Sequence, residues 1–250
     1  MQKTPKVTVV MPAYNAEKTL ERTLADIPKG SADEIILVDD ASKDHTAALA
    51  QKLGLKVFVH PKNLGYGGNQ KTCYTNALAD GADIVVMLHP DYQYDPRVVP
   101  YLSGLIKDDI CDIVLATRIR TRVEALKGGM PAYKYFFNRL LTLVENLFLG
   151  LNLSEYHTGY RAFSRKALEA IPWQENSNDF VFDQEILIQA SYFGLRIGEI
   201  PVPAKYFDEA SSINFSRSLK YGLETLWAVL KYIAAVLKIY KSPIFRNINR

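Results

Sequence analysis

Glu34-Ile35-Ile36-Leu37-Val38-Asp39-Asp40 is a short, continuous apolar run that ends in two carboxylates. A second run, Asp83-Ile84-Val85-Val86-Met87-Leu88, ends in His89-Pro90-Asp91-Tyr92-Gln93. Runs of this length, rich in Val and Ile and separated by helical stretches, read as parallel strands covered on both faces. In an open α/β sheet, ligands bind beyond the carboxyl ends of the strands. Two strand ends carrying acids therefore predict one site. Acids there repel a bare phosphate, so they imply hydroxyl recognition or a bridging metal ion.

The same alternation continues around these runs. Residues 7–11 predict a first strand stopped by Pro12. Asn15 is placed to cap a helix over 16–27, and Ser42 or Asp44 a helix over 45–53 that Gly54 ends. Residues 56–60 predict a short strand. Asn63-Leu64-Gly65-Tyr66-Gly67-Gly68-Asn69 reads as a glycine-rich turn opening a helix that reaches residue 79. Such β-α alternation signals a parallel sheet with flanking helices. After Pro96 the pattern predicts a helix over 97–106, a strand over 112–116 and a loop over 118–131 with Gly128-Gly129 as hinge. A helix over 133–149 and an extended piece over 157–163 follow. Then come a helix over 181–192 capped by Asn178 or Asp179, a strand over 196–201, and one long helix or two over 216–240.

The chain has 250 residues, 48% of them apolar, which suits one large domain, with or without an appendage, and argues against general disorder. A net charge of +3 is too small to argue for nucleic acid. Local excess says more. Residues 117–138 hold Arg118, Arg120, Arg122, Lys127 and Lys134 against Glu124 alone. Residues 214–250 hold seven basic residues against Glu224 alone. Such segments suit phosphate groups, an anionic membrane surface or simply a solvated basic face. Cys73 and Cys111 lie far apart and read as buried thiols of a reducing cytosol. The start of the chain is polar, with no signal-peptide pattern. No uninterrupted apolar stretch approaches the roughly 20 residues of a spanning helix. The expectation is a soluble or surface-bound protein.

His89, Asp91 and Gln93 offer an imidazole, a carboxylate and an amide oxygen within five residues. In an extended stretch alternate residues point the same way, so the three converge. Such a set suits Mg2+ or Mn2+ shared with a diphosphate. The bland alternative is a turn rich in Asp and Pro. The glycine-rich turn is not a dinucleotide fingerprint, because position 70 is Gln, and no P-loop pattern occurs. Nicotinamide-dependent and P-loop chemistries are thereby excluded.

Taken together, several motifs resemble the family-2 glycosyltransferases, inverting enzymes of GT-A fold. They are Val9-Val10-Met11-Pro12-Ala13-Tyr14-Asn15, Val38-Asp39-Asp40-Ala41-Ser42-Lys43-Asp44, the glycine-rich turn, Asp91-Tyr92-Gln93-Tyr94-Asp95-Pro96, Thr158-Gly159-Tyr160-Arg161-Ala162-Phe163 and Phe182-Asp183-Gln184-Glu185-Ile186. The likeness ends at Glu199-Ile200-Pro201-Val202-Pro203, and Gly159-Tyr160-Arg161 favours the polyprenyl-phosphate (dolichyl-phosphate) sugar transferases. The resemblance implies a GT-A (Rossmann-like), mostly parallel sheet flanked by helices, with C-terminal amphipathic helices. It implies a catalytic domain over 1–212 and a basic, amphipathic helical extension over 213–250.

Residue by residue, the resemblance puts Pro12, Ala13, Tyr14, Asn15, Asp39, Asp40, Gly65 and Asn69 around the nucleotide sugar. Asp91 and Gln93, with His89 as third candidate, would hold Mg2+ or Mn2+. Arg118 would face the phosphates, and Arg120, Lys134 and Arg161 the acceptor phosphate. Asp183 or Glu185 stands where relatives with soluble acceptors keep a base. The family usually has an acid where this chain has His89. Losing that charge predicts weaker metal affinity or a preference for Mn2+ over Mg2+. The implied reaction moves a hexose from a UDP- or GDP-sugar to a polyprenyl phosphate at the cytosolic membrane face. The Trp227-Leu230-Ile233-Leu237 stripe, flanked by lysines, and the Tyr133-Tyr135-Phe136-Phe137 cluster would meet the lipid; packing on the domain or in an oligomer is the alternative. Two other readings remain: a soluble or glycan acceptor with Asp183 as base, and a nucleotide-sugar-binding protein without catalysis.

Overall fold

In a computed structural model of the protein, residues 4–119, 121–203 and 215–246 are described, Phe215 by its backbone only. The chain runs β1 (Val7–Ala13), α1 (Glu17–Ala25), β2 (Glu34–Asp39), α2 (Thr46–Lys52), β3 (Lys56–Val59), α3 (Tyr66–Ala79) and β4 (Ile84–Met87). It continues with α4 (Val99–Lys107), β5 (Ile113–Thr117), α5 (Arg122–Lys127), α6 (Ala132–Leu149), β6 (Arg161–Ser164), α7 (Arg165–Ala170), α8 (Phe182–Tyr192), β7 (Ile197–Pro201) and α9 (Phe215–Val236). The seven strands lie in the order β3-β2-β1-β4-β6-β5-β7. All neighbours are parallel except those of β6, which runs antiparallel to both β4 and β5. The mixed α/β architecture agrees with the expected sheet; the reversed strand is new.

Burial on both faces explains the continuous apolar runs. Val10, Ile36, Val85 and Met87 enter one layer with Tyr74 of α3 and Ile186 of α8. Their neighbours Val9, Leu37 and Val86 enter the other layer with Leu20 of α1 and Leu102 of α4. Because successive side chains point to opposite faces, a strand with no polar face needs an apolar residue at every position.

Local details depart from the expected ones for identifiable reasons. β1 passes through Pro12, which pairs with Val38. Its nitrogen faces the β4 side, where pairing has already stopped at Val10, so no ladder hydrogen bond is lost. Asn15 does not cap α1. It sits at φ 54° and accepts from the Lys43 N–H at 2.8 Å. The first two helices cap each other instead: Asp44 accepts from the Glu17 N–H at 3.1 Å and Glu17 from the His45 N–H at 3.1 Å. Asp44 also accepts from the Thr46 N–H, as expected. The predicted loop over 118–131 holds α5, because Thr121 accepts from the Glu124 N–H at 3.1 Å and starts a helical turn. Neither Asn178 nor Asp179 caps α8. Asn178 accepts from Lys71 and Asp179 from Lys220. The expected domain boundary at 212/213 lies outside the described residues.

Gly67 shows how tightly α3 meets the segment before α8. A Cβ there would lie far inside contact distance of the Ser177 carbonyl and 2.8 Å from Phe182 Cβ. Gly67→Ala is expected to cost about 1–3 kcal/mol in urea unfolding. Gly104→Ala, in α4 with nothing within 4 Å of the added methyl, is expected to stabilise by about 0.5–1 kcal/mol.

Candidate active site

The carboxyl ends of β1, β2 and β4 open onto a cleft of about 610 Å3. Pro12, Ala13, Tyr14 and Asn15 line it from β1, Asp40 from β2, and His89 and Asp91 from β4. Gly65 and Asn69 line it from the glycine-rich turn. Asp40 organises this end. Its carboxylate accepts from the Leu64 N–H at 2.8 Å, the Gly65 N–H at 3.1 Å and His60 Nδ1 at 2.7 Å. Gly65 has φ +85°, which a side chain would strain. Asn69 is buried and donates to the carbonyls of Val38 and Ala13 at 3.0 and 3.3 Å, pinning the ends of two strands together. Asp39 does not line the cleft. It is buried and accepts from the Ser42 N–H at 3.0 Å, so it shapes the turn.

A second chamber, of about 360 Å3, adjoins the first. Tyr66, His89, Asp91, Phe180 and Tyr221 line both. Its walls are largely apolar: Phe137, Leu140 and Leu141 from α6, and Leu219, Leu223 and Leu226 from α9. Its polar residues include Gln93, Arg118, Lys134 and Asp183. Arg118 binds Glu155 and donates to the His157 carbonyl at 2.5 Å. Burial pushes the Glu155 carboxyl up, but Arg118 outweighs it and holds the group below the usual range. Burial, with Arg118 nearby, lowers the Lys134 ammonium. Arg118 and Lys134 thus stand as basic residues in the lining of a largely apolar chamber.

His89, Asp91 and Gln93 share this chamber, though not through an extended stretch. Tyr92 takes φ 57°, and Asp91 Oδ1 accepts from the Gln93 N–H at 3.0 Å, so the segment is a turn. His89 stacks on Tyr66 with ring centroids 5.4 Å apart. Burial lowers its imidazole below the usual value. Among the described residues no group of three His, Cys, Asp or Glu could hold a metal ion unaided. One carboxylate, one amide and one imidazole on a shared wall do fit a cation whose remaining ligands come from a diphosphate.

Three expected residues have other occupations. Arg161 is fully buried and donates to the carbonyls of Thr158, Tyr156 and Asp183 at 2.7, 2.9 and 2.6 Å, so it reaches neither cavity. Glu185 accepts from the Ser177 N–H at 2.7 Å and pairs with Lys231 at 2.9 Å, again away from both. Asp183 is present but engaged: Tyr66 Oη donates to it at 2.7 Å and Gln70 Nε2 at 3.0 Å. Arg120 lies outside the described residues. Other residues were missed. Tyr66 sat in the quoted glycine-rich motif. Arg217, Lys220 and Tyr221 of α9 line the first cleft, a long-range placement that only the basic charge of the first two hinted at.

The family model described as "Glycosyl transferase family 2" matches residues 8–171. The UDP-N-acetylglucosamine–dolichyl-phosphate N-acetylglucosaminyltransferase of Methanococcus voltae is 30% identical over 217 residues, covering 80% of this chain and 86% of that protein. The dolichyl-phosphate hexose transferase of Haloferax volcanii is 32% identical over 200 residues, covering 79% and 82%. Among solved structures, glucosyl-3-phosphoglycerate synthase of Mycobacterium tuberculosis in complex with UDP superposes with a TM-score of 0.71 at 22% identity. That match covers 95% of this chain and 82% of the other and shows a shared fold.

Beneath the second chamber, Glu145 of α6 is fully buried and its oxygens have no hydrogen-bond partner. It faces His157 Nε2 at 3.4 Å. Burial pushes the Glu145 carboxyl well up, against Arg161, and pushes the His157 imidazole down to about 3. Both shifts favour the uncharged form of each group. A carboxyl with a raised folded-state pKa contributes stability fully below its unfolded value, near 4.5, and loses it as pH rises. Glu145→Gln removes that loss. The variant is expected to gain on the wild type by up to about 1.4 kcal/mol per pH unit above that value. Urea unfolding at pH 4.5, 6 and 8 measures it, and a difference independent of pH contradicts the burial of a proton at Glu145.

Proposed function

The chain belongs to glycosyl transferase family 2 and is a glycosyltransferase; from that premise we propose that it moves a hexose from a nucleoside diphosphate sugar to a polyprenyl phosphate at the cytosolic face of a membrane. The observation that carries this reading is the pair of adjoining cavities: the more polar one at the strand ends, the other largely apolar with Arg118 and Lys134 in its lining. The names of relatives that act on dolichyl phosphate support it.

In this reading the nucleotide lies along Pro12, Ala13, Tyr14 and Asp40, and the diphosphate reaches Asp91 with Arg217 and Lys220 near it. Either a uridine or a guanosine diphosphate fits these residue types. Asp91 and Gln93 would hold a divalent cation, Mg2+ or Mn2+. When bound, that ion neutralises charge on the leaving diphosphate. A structural neighbour holds Mn2+ with UDP-glucose. The acceptor phosphate rests on Arg118 and Lys134 with its prenyl chain between α6 and α9. A phosphate oxygen bonds to the anomeric carbon as the bond from that carbon to the diphosphate breaks. The acceptor is already ionised at neutral pH, so no proton has to be removed. This agrees with an Asp183 that already accepts hydrogen bonds from Tyr66 and Gln70. A hydroxyl acceptor would need that group as a free base, and the geometry favours this reading less.

The surface around the second chamber supports lipid contact. Phe136, Leu140, Leu143 and Leu147 recur on one face of α6, and Leu219, Leu223, Trp227 and Leu230 on one face of α9; all are exposed. The helices meet where Gly222 lies against Leu141. Ile233 departs from the expected stripe and packs on the core. Among the described residues no helix is long and apolar enough to cross a membrane. Two apolar helical faces side by side suit an interfacial lie.

The test is transfer of radiolabelled sugar from UDP- and GDP-hexoses into solvent-extractable lipid, with polyprenyl phosphate in vesicles. Asp91→Asn is expected to lower turnover about 100-fold or more. Lys134→Ala is expected to raise KM for the lipid about 10-fold while leaving donor binding unchanged. Label that appears only in water-soluble product, with or without lipid, overturns the acceptor assignment. Trp227→Glu with Leu230→Glu is expected to reduce flotation with anionic vesicles at least several-fold; undiminished flotation removes the interfacial role of α9.

A further inference from the structure

Tyr66 Oη donates its only hydrogen to Asp183 Oδ2 at 2.7 Å, and the same oxygen lies 3.1 Å from His89 Nε2. A hydroxyl whose proton is committed to a carboxylate meets a second polar neighbour only as an acceptor. The hydrogen between them is therefore on His89 Nε2. With Nε2 spent on that hydrogen bond, Nδ1 is the ring nitrogen left to bind a metal ion. Two observations fix the ring. Nε2 and Cδ2 are the edge turned to Gly159, where an added Cβ would sit 2.8 and 3.1 Å away. Tyr66 stacks on the ring face, itself backed by Phe180 at 4.7 Å. The opposite edge carries Nδ1. Among the described residues it has no hydrogen-bond partner, and it is not among the buried polar atoms sealed without one. His89 lines both cavities beside Asp91.

We propose that His89 is a ligand of the divalent cation through Nδ1, oriented by a hydrogen-bond relay from His89 through Tyr66 to Asp183. The proposal rests on the metal-dependent reading of the site given above. The relay is the carboxylate-backed arrangement that fixes which imidazole nitrogen is free to bind a metal. It gives Asp183 a role other than base: it positions Tyr66, which positions His89. Gln70 and Arg161 hold Asp183 in turn, the latter through a donated bond to its carbonyl and at 3.7 Å from its carboxylate. Exchanging an oxygen ligand for an imidazole shifts preference away from Mg2+, which demands oxygen, toward Mn2+.

Pulsed electron paramagnetic resonance of Mn2+ bound to the full chain with UDP, and separately with GDP, reads the ligand directly. Expected is a coupling from one directly bound imidazole nitrogen, lost in His89→Asp. Binding titrations with the two metals are expected to show that His89→Asp shifts the Mn2+ to Mg2+ affinity ratio toward Mg2+. Tyr66→Phe keeps the ring that stacks on His89 and removes only the hydroxyl. It is expected to weaken Mn2+ binding about 10- to 100-fold, with less effect on Mg2+. A role of Tyr66 in packing alone leaves both the metal ratio and the nitrogen coupling unchanged. Mn2+ bound without nitrogen coupling, or with coupling that survives in His89→Asp, overturns this inference and leaves the metal-dependent reading standing. No Mn2+ binding with either nucleotide overturns both.

Discussion

The apolar chamber hangs on a buried guanidinium. A charge taken out of water is tolerated only when its hydrogen bonds are satisfied, and Arg161 meets that demand with three backbone carbonyls from two segments. Two of them belong to the 156–158 stretch that carries the floor of the apolar chamber; the third belongs to the first turn of α8. The side chain thus ties a loop with no regular structure to a helix. Asp183 takes its place from that tie, and Tyr66 and His89 take theirs from Asp183. Asp40 does the comparable work in the cleft at the strand ends, where one carboxylate gathers two backbone N–H groups and His60.

The cleft at the strand ends was legible in the sequence because its signals are local. Runs of Val and Ile with no polar interruption specify strands covered on both faces, and the residues just after them must stand at the sheet edge. Asp40, Gly65, Asn69, His89 and Asp91 accordingly line one cleft. Local reasoning failed where two adjacent residues were treated alike. Asp39 and Asp40 follow each other in an extended stretch, so their side chains diverge, and only the second reaches the cleft.

The apolar chamber was legible in composition and not in position. The excess of basic and aromatic residues in 117–138 pointed to a site there, and Arg118, Lys134 and Phe137 do line the chamber. Arg161 carried the same charge into a different fate, because a motif gives residue type and not the direction in which a long side chain turns. α9 is separated by most of the chain from the strands whose cleft it covers. Nothing in its periodicity says that Tyr221 bonds His157 at 2.9 Å or that Arg217 reaches the cleft. Such placements depend on long-range packing, which a one-dimensional pattern does not encode.

The reversed strand β6 has a wider consequence. Strands β1, β2 and β4 deliver their residues as the chain leaves the sheet, whereas the segment ahead of β6 delivers His157 and Gly159 as the chain comes in. The two cavities are therefore reached from stretches of polypeptide that run in opposite senses through one sheet and meet at Tyr66, His89, Asp91, Phe180 and Tyr221. Away from those shared residues, change can accumulate on one stretch without disturbing the register of the other. A scaffold so divided lets the lining of either cavity drift locally while the common wall stays put.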